Sequence, residues 1–131
     1  MYISNELQQI KCDLQKMQAE IDKLKFHRST LVTWIGHIIE GDKTSPSIYE
    51  ASILFDLSKQ ELRQIMECIN HYDGNLELFK TRVSPICDEG IFFIVEGIQN
   101  SCSGQLFVNA QKILADYELQ KQGKQENEKP N

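Results

Sequence analysis

Between residues 3 and 38 the apolar positions advance by alternating steps of four and three: Ile3, Leu7, Ile10, Leu14, Met17, Ile21, Leu24, then, past Arg28, Leu31, Ile35 and Ile38. With Leu7 at heptad position a, the a positions are Leu7, Leu14, Ile21, Arg28 and Ile35, and Ile3, Ile10, Met17, Leu24, Leu31 and Ile38 occupy d. A repeat of this period predicts a long helix built to pack against other helices. Carried to Glu40, it is a rod of about 55 Å at about 1.5 Å per residue. Ser29, Thr30 and Gly36 lower helix propensity locally, so a break or bend near residues 28–30 is the alternative to one continuous rod.

The edges of this repeat carry opposite charge. Position g holds Glu6, Asp13 and Glu20, and position e holds Lys11, Gln18 and Lys25. In a parallel pair, g of one chain faces the following e of the other, which brings Glu6 to Lys11 and Glu20 to Lys25; antiparallel pairing sets like edge against like. The expectation is a parallel homo-oligomer with Ile3, Leu7, Ile10, Leu14, Met17, Ile21, Leu24, Arg28 and Leu31 in its interface. The charges choose the orientation and the apolar seam supplies the affinity. Leu at a with Ile at d favours larger bundles, whereas Ile21 with Leu24 favours two strands, so the copy number spans dimer to tetramer. Arg28 is costly in a closed core and is expected to mark where the bundle flares. The competing reading packs this helix inside its own chain with the charged face to solvent.

Beyond Arg28, Val32, Trp34 and Ile39 widen the apolar face, and the globular part is expected to dock there. Trp34, Ile38, Ile39 and Tyr49 form either part of that core or an exposed patch for a protein partner.

The rest of the chain is patterned for short helices. Thr44 or Ser45 ahead of Pro46 reads as a helix start, with Ile48, Tyr49, Ala51 and Leu54 inward and an end near Phe55. Ser58 and Glu61 have capping-box spacing ahead of Leu62, Ile65, Met66 and Ile69, and Asp73-Gly74 stops that helix. Residues 76–83 predict a short amphipathic helix before Ser84-Pro85, and Asp88 offers the next cap. Residues 91–98 are apolar nearly all round and predict a buried helix, since no partner strand is in sight. Leu106, Phe107, Ala110, Ile113, Leu114 and Tyr117 define a last helix, and from Gln120 onward nothing apolar anchors the chain, which predicts a frayed tail. The fold class is all-α: a long N-terminal coiled-coil helix over residues 1–40, a small domain of about four to five helices over 41–119, and a disordered tail over 120–131.

Composition narrows the function classes. A chain of 131 residues, 40% of them apolar, fills one core beside a protruding helix. A net charge of -5 without a basic run leaves little to neutralise phosphates, so nucleic acid is not the expected partner. No apolar stretch approaches the ~20 residues of a membrane span and no secretory signal pattern is present, so a cytoplasmic protein away from membranes is expected. Cys12, Cys68, Cys87 and Cys102 are too scattered for a CxxC signature and read as reduced structural thiols. Cys68 and His71 could share a helix face but lack the further ligands a metal needs. His27, His37 and His71 have no recognisable catalytic partners, and phosphate-loop, HExxH and calcium-loop motifs are missing from the sequence, so no catalytic residue, cofactor or metal is expected.

In order, the heptad start, the stretch from Tyr49 to Glu61 (YEASILFDLSKQE) and the stretch from Ile91 to Ile98 (IFFIVEGI) leading into a final amphipathic helix resemble the YhaI family of small helical proteins from Bacillus-type bacteria. The resemblance spans about Glu6 to Tyr117 and implies an N-terminal coiled helix, a helical C-terminal part and self-association, with no catalytic residues. The reading that follows is a non-enzymatic homo-oligomeric adaptor or regulatory protein that binds an unidentified protein partner. One alternative is an inhibitor or sequestering protein of phage or mobile-element origin, suggested by small size and acidity. Another is a DNA-binding regulator with a degenerate helix-turn-helix at residues 48–69, against which Glu61 and Glu67 beside Lys59 and Arg63 would repel a phosphate backbone.

Overall fold

A computed structural model of the chain describes residues 2–41 and 45–128. Six helices occur among the described residues: α1 (Tyr2–Ile39), α2 (Ile48–Leu54), α3 (Lys59–Asn70), α4 (Leu76–Val83), α5 (Ile91–Ser101) and α6 (Gly104–Glu128). α1 runs unbroken through Ser29 and Thr30, with the Thr30 and Thr33 hydroxyls donating to helix carbonyls four residues earlier at 2.7 and 2.9 Å. Its 38 residues make a rod of about 57 Å.

The core belongs to the other five helices. α5 lies at its centre, packed on one side by α6 and on the other by α2, while α3 and α4 close over α6. Ile94, Val95 and Ile98 of α5, Ile65 and Ile69 of α3, Val83 of α4 and Ala110 and Ile113 of α6 are all fully buried. α5 therefore has the all-round apolar character its sequence carries, as a helix enclosed on several sides must. α3 begins at the expected capping box: the Glu61 N–H donates to Ser58 Oγ, and the Ser58 N–H donates to the Glu61 carboxylate. At its other end the buried amide of Asn109 donates to the carbonyls of Ile69 and Asn70 at 2.9 and 3.1 Å, satisfying acceptors that a helix end leaves open.

Several local expectations shift. α2 starts at Ile48 with Ser47 as its cap, later than the Thr44 or Ser45 start; Thr44 lies outside the described residues. The start is held there from outside, since Ser101 Oγ accepts from the Ile48 N–H and Asn100 donates to the Pro46 carbonyl. Leu54 faces solvent instead of the core, because Ala51 and Ser52 form the inward side of α2. Asp88 does not cap α5; its carboxylate accepts from Ser84, and Gly90 stands at the cap in the left-handed region (φ 72°). A Cβ on Gly90 would fall 2.1 Å from the Phe55 ring, so only glycine suits both the dihedral and the space. α6 continues past Gln120 to Glu128, with Gln120 bonded to Lys80 and Glu77 of α4. Residues 129–131 of the expected tail lie outside the described residues.

Candidate self-association surface

Of the domain helices, α2 makes the main contact with α1. The α1 residues drawn out of solvent are Lys23, Phe26, His27, Thr30, Trp34 and His37, of which Thr30 is buried and the others half-buried. Polar contacts pin this contact near both ends. His37 stacks on Tyr49 with ring centroids 5.3 Å apart. A turn or more earlier, the His27 Nε2–H donates to the Leu57 carbonyl at 2.8 Å, and the Lys23 ammonium donates to the Asp56 carboxylate at 3.1 Å. Asp56 sits in the left-handed region (φ 52°), a conformation aspartate tolerates better than most residues, and so turns the chain from α2 into α3 directly beneath α1. Its hydrogen bond is the chief cause holding Lys23 above the usual lysine pKa.

The heptad seam lies elsewhere on the helix. At about 100° per residue, the a/d residues beside the domain centre about 110° around the axis from the centre of the docked face. Every described side chain from residue 3 to residue 22 is exposed, and beyond them Leu24, Arg28, Leu31, Ile35 and Ile38 remain on the outside. Ile3, Leu7, Ile10, Leu14, Met17, Ile21, Leu24 and Leu31 thus form one solvent-facing row interrupted at Arg28, with Leu14 58% and Leu24 64% exposed. Glu6 and Glu20 flank one edge and Lys11 and Lys25 the other, all exposed; Glu20 also lies 4.0 Å from Lys23 of its own helix.

This corrects the expected docking face. The widened stripe beyond Arg28 does not meet the domain: Val32 and Ile39 are 65% and 79% exposed, and only Trp34, half-buried, borders the docked side. The reason lies in α2, which uses its apolar side on α5. A Cβ on Gly97 of α5 would lie 2.8 Å from the Ser47 carbonyl oxygen, so α5 and the start of α2 are as close as backbones come. Of the expected patch, Ile38 and Ile39 are exposed, while Trp34 and Tyr49 are half-buried. The docked set was missed at the sequence level, although Phe26, Thr30, Trp34 and His37 recur at helical spacing on one side of α1 and carry that signal.

Burial raises the thiols of Cys68, Cys87 and Cys102, which disfavours the nucleophilic thiolate. All four cysteines are free, and among the described residues no group of three or more His, Cys, Asp or Glu is placed to hold a metal ion. An open groove between α4, α5 and α6 is lined by Lys80, Asp88, Phe92 and Tyr117, but its two rings stack on each other with centroids 3.5 Å apart, which leaves no slot between them. Lys59 and Arg63 are exposed on α3, alongside the equally exposed Glu67.

No helix among the described residues is long and apolar enough to cross a membrane. Comparison with known proteins finds no matching family model, curated protein or solved structure.

Proposed function

We propose that this chain is a non-enzymatic homo-oligomer in which α1 joins identical copies and thereby gathers several small helical domains for a protein partner. The observation that carries the reading is the row of exposed Ile, Leu and Met along α1, continuous from Ile3 to Leu24, on the side turned away from its own domain. Most helical stability in proteins comes from packing an apolar face. Residues 3–22 receive no such packing from their own chain, so a second α1 is the natural source of it. Gathering weak sites on one scaffold raises their joint affinity by 10²-fold or more, on the order of what linked binding modules achieve, without any new contact. In this reading the function is avidity.

The test is sedimentation of the intact chain and of Leu14→Asp/Ile21→Asp. The wild type is expected to run as an oligomer and the double variant as a monomer with unchanged helical-domain stability. A wild type that stays monomeric at every concentration, or a double variant of unchanged mass, overturns the reading.

A further inference from the structure

The edge positions of α1 change character at Arg28, and the change has a partner. Pairing each g residue with the e residue five positions on, as parallel coiled coils do, gives Glu6 with Lys11 and Glu20 with Lys25 in the first half. The same rule past Arg28 gives His27 with Val32 and Trp34 with Ile39. In a parallel pair the exposed Ile39 would therefore face Trp34 of the neighbouring copy, whereas the His27 ring is already held by the Leu57 carbonyl of its own chain.

We infer that neighbouring copies pair parallel and in register, with charged edge contacts along residues 3–25 and an apolar clasp of Trp34 against Ile39 of the second copy at the domain end. The inference rests on the self-association proposed above and specifies its orientation and register. Three observations support it. The charge complementarity of the g and e edges exists only in the parallel arrangement, since antiparallel pairing meets Glu with Glu and Lys with Lys. Beside the domain the stripe centres about 110° around the axis from the docked face, and every a and d residue there stays exposed and open to a second helix. Finally, Ile39 is 79% exposed and lies about 140° around α1 from Trp34, so its own chain offers it no share of that ring.

Trp34 is the single tryptophan of the chain and reports the clasp by its fluorescence. Ile39→Lys leaves the a and d positions intact and is expected to keep the oligomer in sedimentation while shifting Trp34 emission to the red. Glu6→Lys/Glu20→Lys makes both edges basic. It is expected to raise the dissociation constant by about tenfold in a parallel pair, whereas an antiparallel pair would merely exchange acidic for basic repulsion and be unmoved. Unchanged Trp34 emission in an assembled Ile39→Lys protein, or an unweakened Glu6→Lys/Glu20→Lys oligomer, overturns the inference and leaves self-association standing. A monomeric wild type removes both.

Discussion

The two halves of α1 share one helix and one apolar repeat, yet differ in what holds them. Residues 3–22 have no buried side chain, and the local support described there is side-chain pairs such as Gln9 with Asp13 and Gln18 with Asp22, each four residues apart on the surface. Such pairs are worth about 0.2 to 0.5 kcal/mol each. Residues 23–37 are fastened to the domain by a buried threonine, the stacking of His37 on Tyr49 and a pair of polar links to the turn between α2 and α3. The fastening uses a second pattern on the helix, and the heptad stripe stays outside in both halves. Apolar periodicity thus tells that a face must be covered but not by which chain. The domain's cohesion is intramolecular and independent of concentration, whereas the seam receives no cover from its own chain.

The sharpest way to separate the two kinds of cohesion is to damage one alone. Ile94 is fully buried at the centre of the domain and far in the fold from the seam. Ile94→Ala, made in the Leu14→Asp/Ile21→Asp background so that association does not contribute, is expected to cost about 2 to 5 kcal/mol. Urea titrations at two protein concentrations should give the same lowered midpoint. A loss below about 1 kcal/mol would mean that the site collapses freely, and the picture of α5 as a tightly enclosed helix would fall.

How much of this was legible beforehand depends on what kind of signal each element carries. α3 was readable because Ser58 and Glu61 satisfy each other locally, and α4 because its limits are set by Asn75 and Ser84 beside it. α5 was readable because a helix enclosed on several sides is apolar all round. The start of α2 was not, since it is fixed by Asn100 and Ser101 from more than fifty residues away. The role of Gly90 was hidden for the same reason: the ring that forbids a side chain there belongs to Phe55. On α1 the heptad stripe drew attention from the polar and aromatic docked face. A histidine whose worth is one hydrogen bond to a distant carbonyl looks no different in sequence from a histidine in solvent.

A smaller effect probes the side of the domain remote from α1. The Tyr72 hydroxyl, at the end of α3, donates to Asp116 of α6 and ties the two helices together. Tyr72→Phe is expected to cost about 1 to 3 kcal/mol near neutral pH, the range for a hydrogen bond to a charged group. Burial first, and then the bond to Asp116, raise the Tyr72 pKa above its ordinary value of 10.0. The folded protein therefore keeps a proton that the unfolded chain releases. The stabilisation is whole below that ordinary value and is lost as pH rises beyond it. Comparing urea midpoints at about pH 8 and about pH 11, the wild type should lose more stability than Tyr72→Phe. Equal losses would mean that Tyr72 titrates as freely when folded as when unfolded.

The smallest expected effect lies where the two halves of the comparison join. Lys23 reaches Asp56 from a side chain that is 20% exposed, but the carboxylate is 73% exposed, so solvent screens most of the attraction. Asp56→Asn keeps a residue that tolerates the left-handed turn and retains an oxygen able to accept from Lys23, removing only the charge. The expected loss is at most about 1 kcal/mol, shrinking further as salt is raised. His27 also lies beside Asp56, its Nδ1 3.8 Å from the carboxylate, but it bonds the Leu57 carbonyl through Nε2, and that hydrogen bond should continue to hold α1 in place. Hydrogen exchange of the α1 amides can tell these contributions apart: residues 23–37 should stay as protected in Asp56→Asn as in the wild type. If their protection falls to the level of residues 3–22 in a monomeric background, the ion pair and not the aromatic and histidine contacts fastens the rod to the domain.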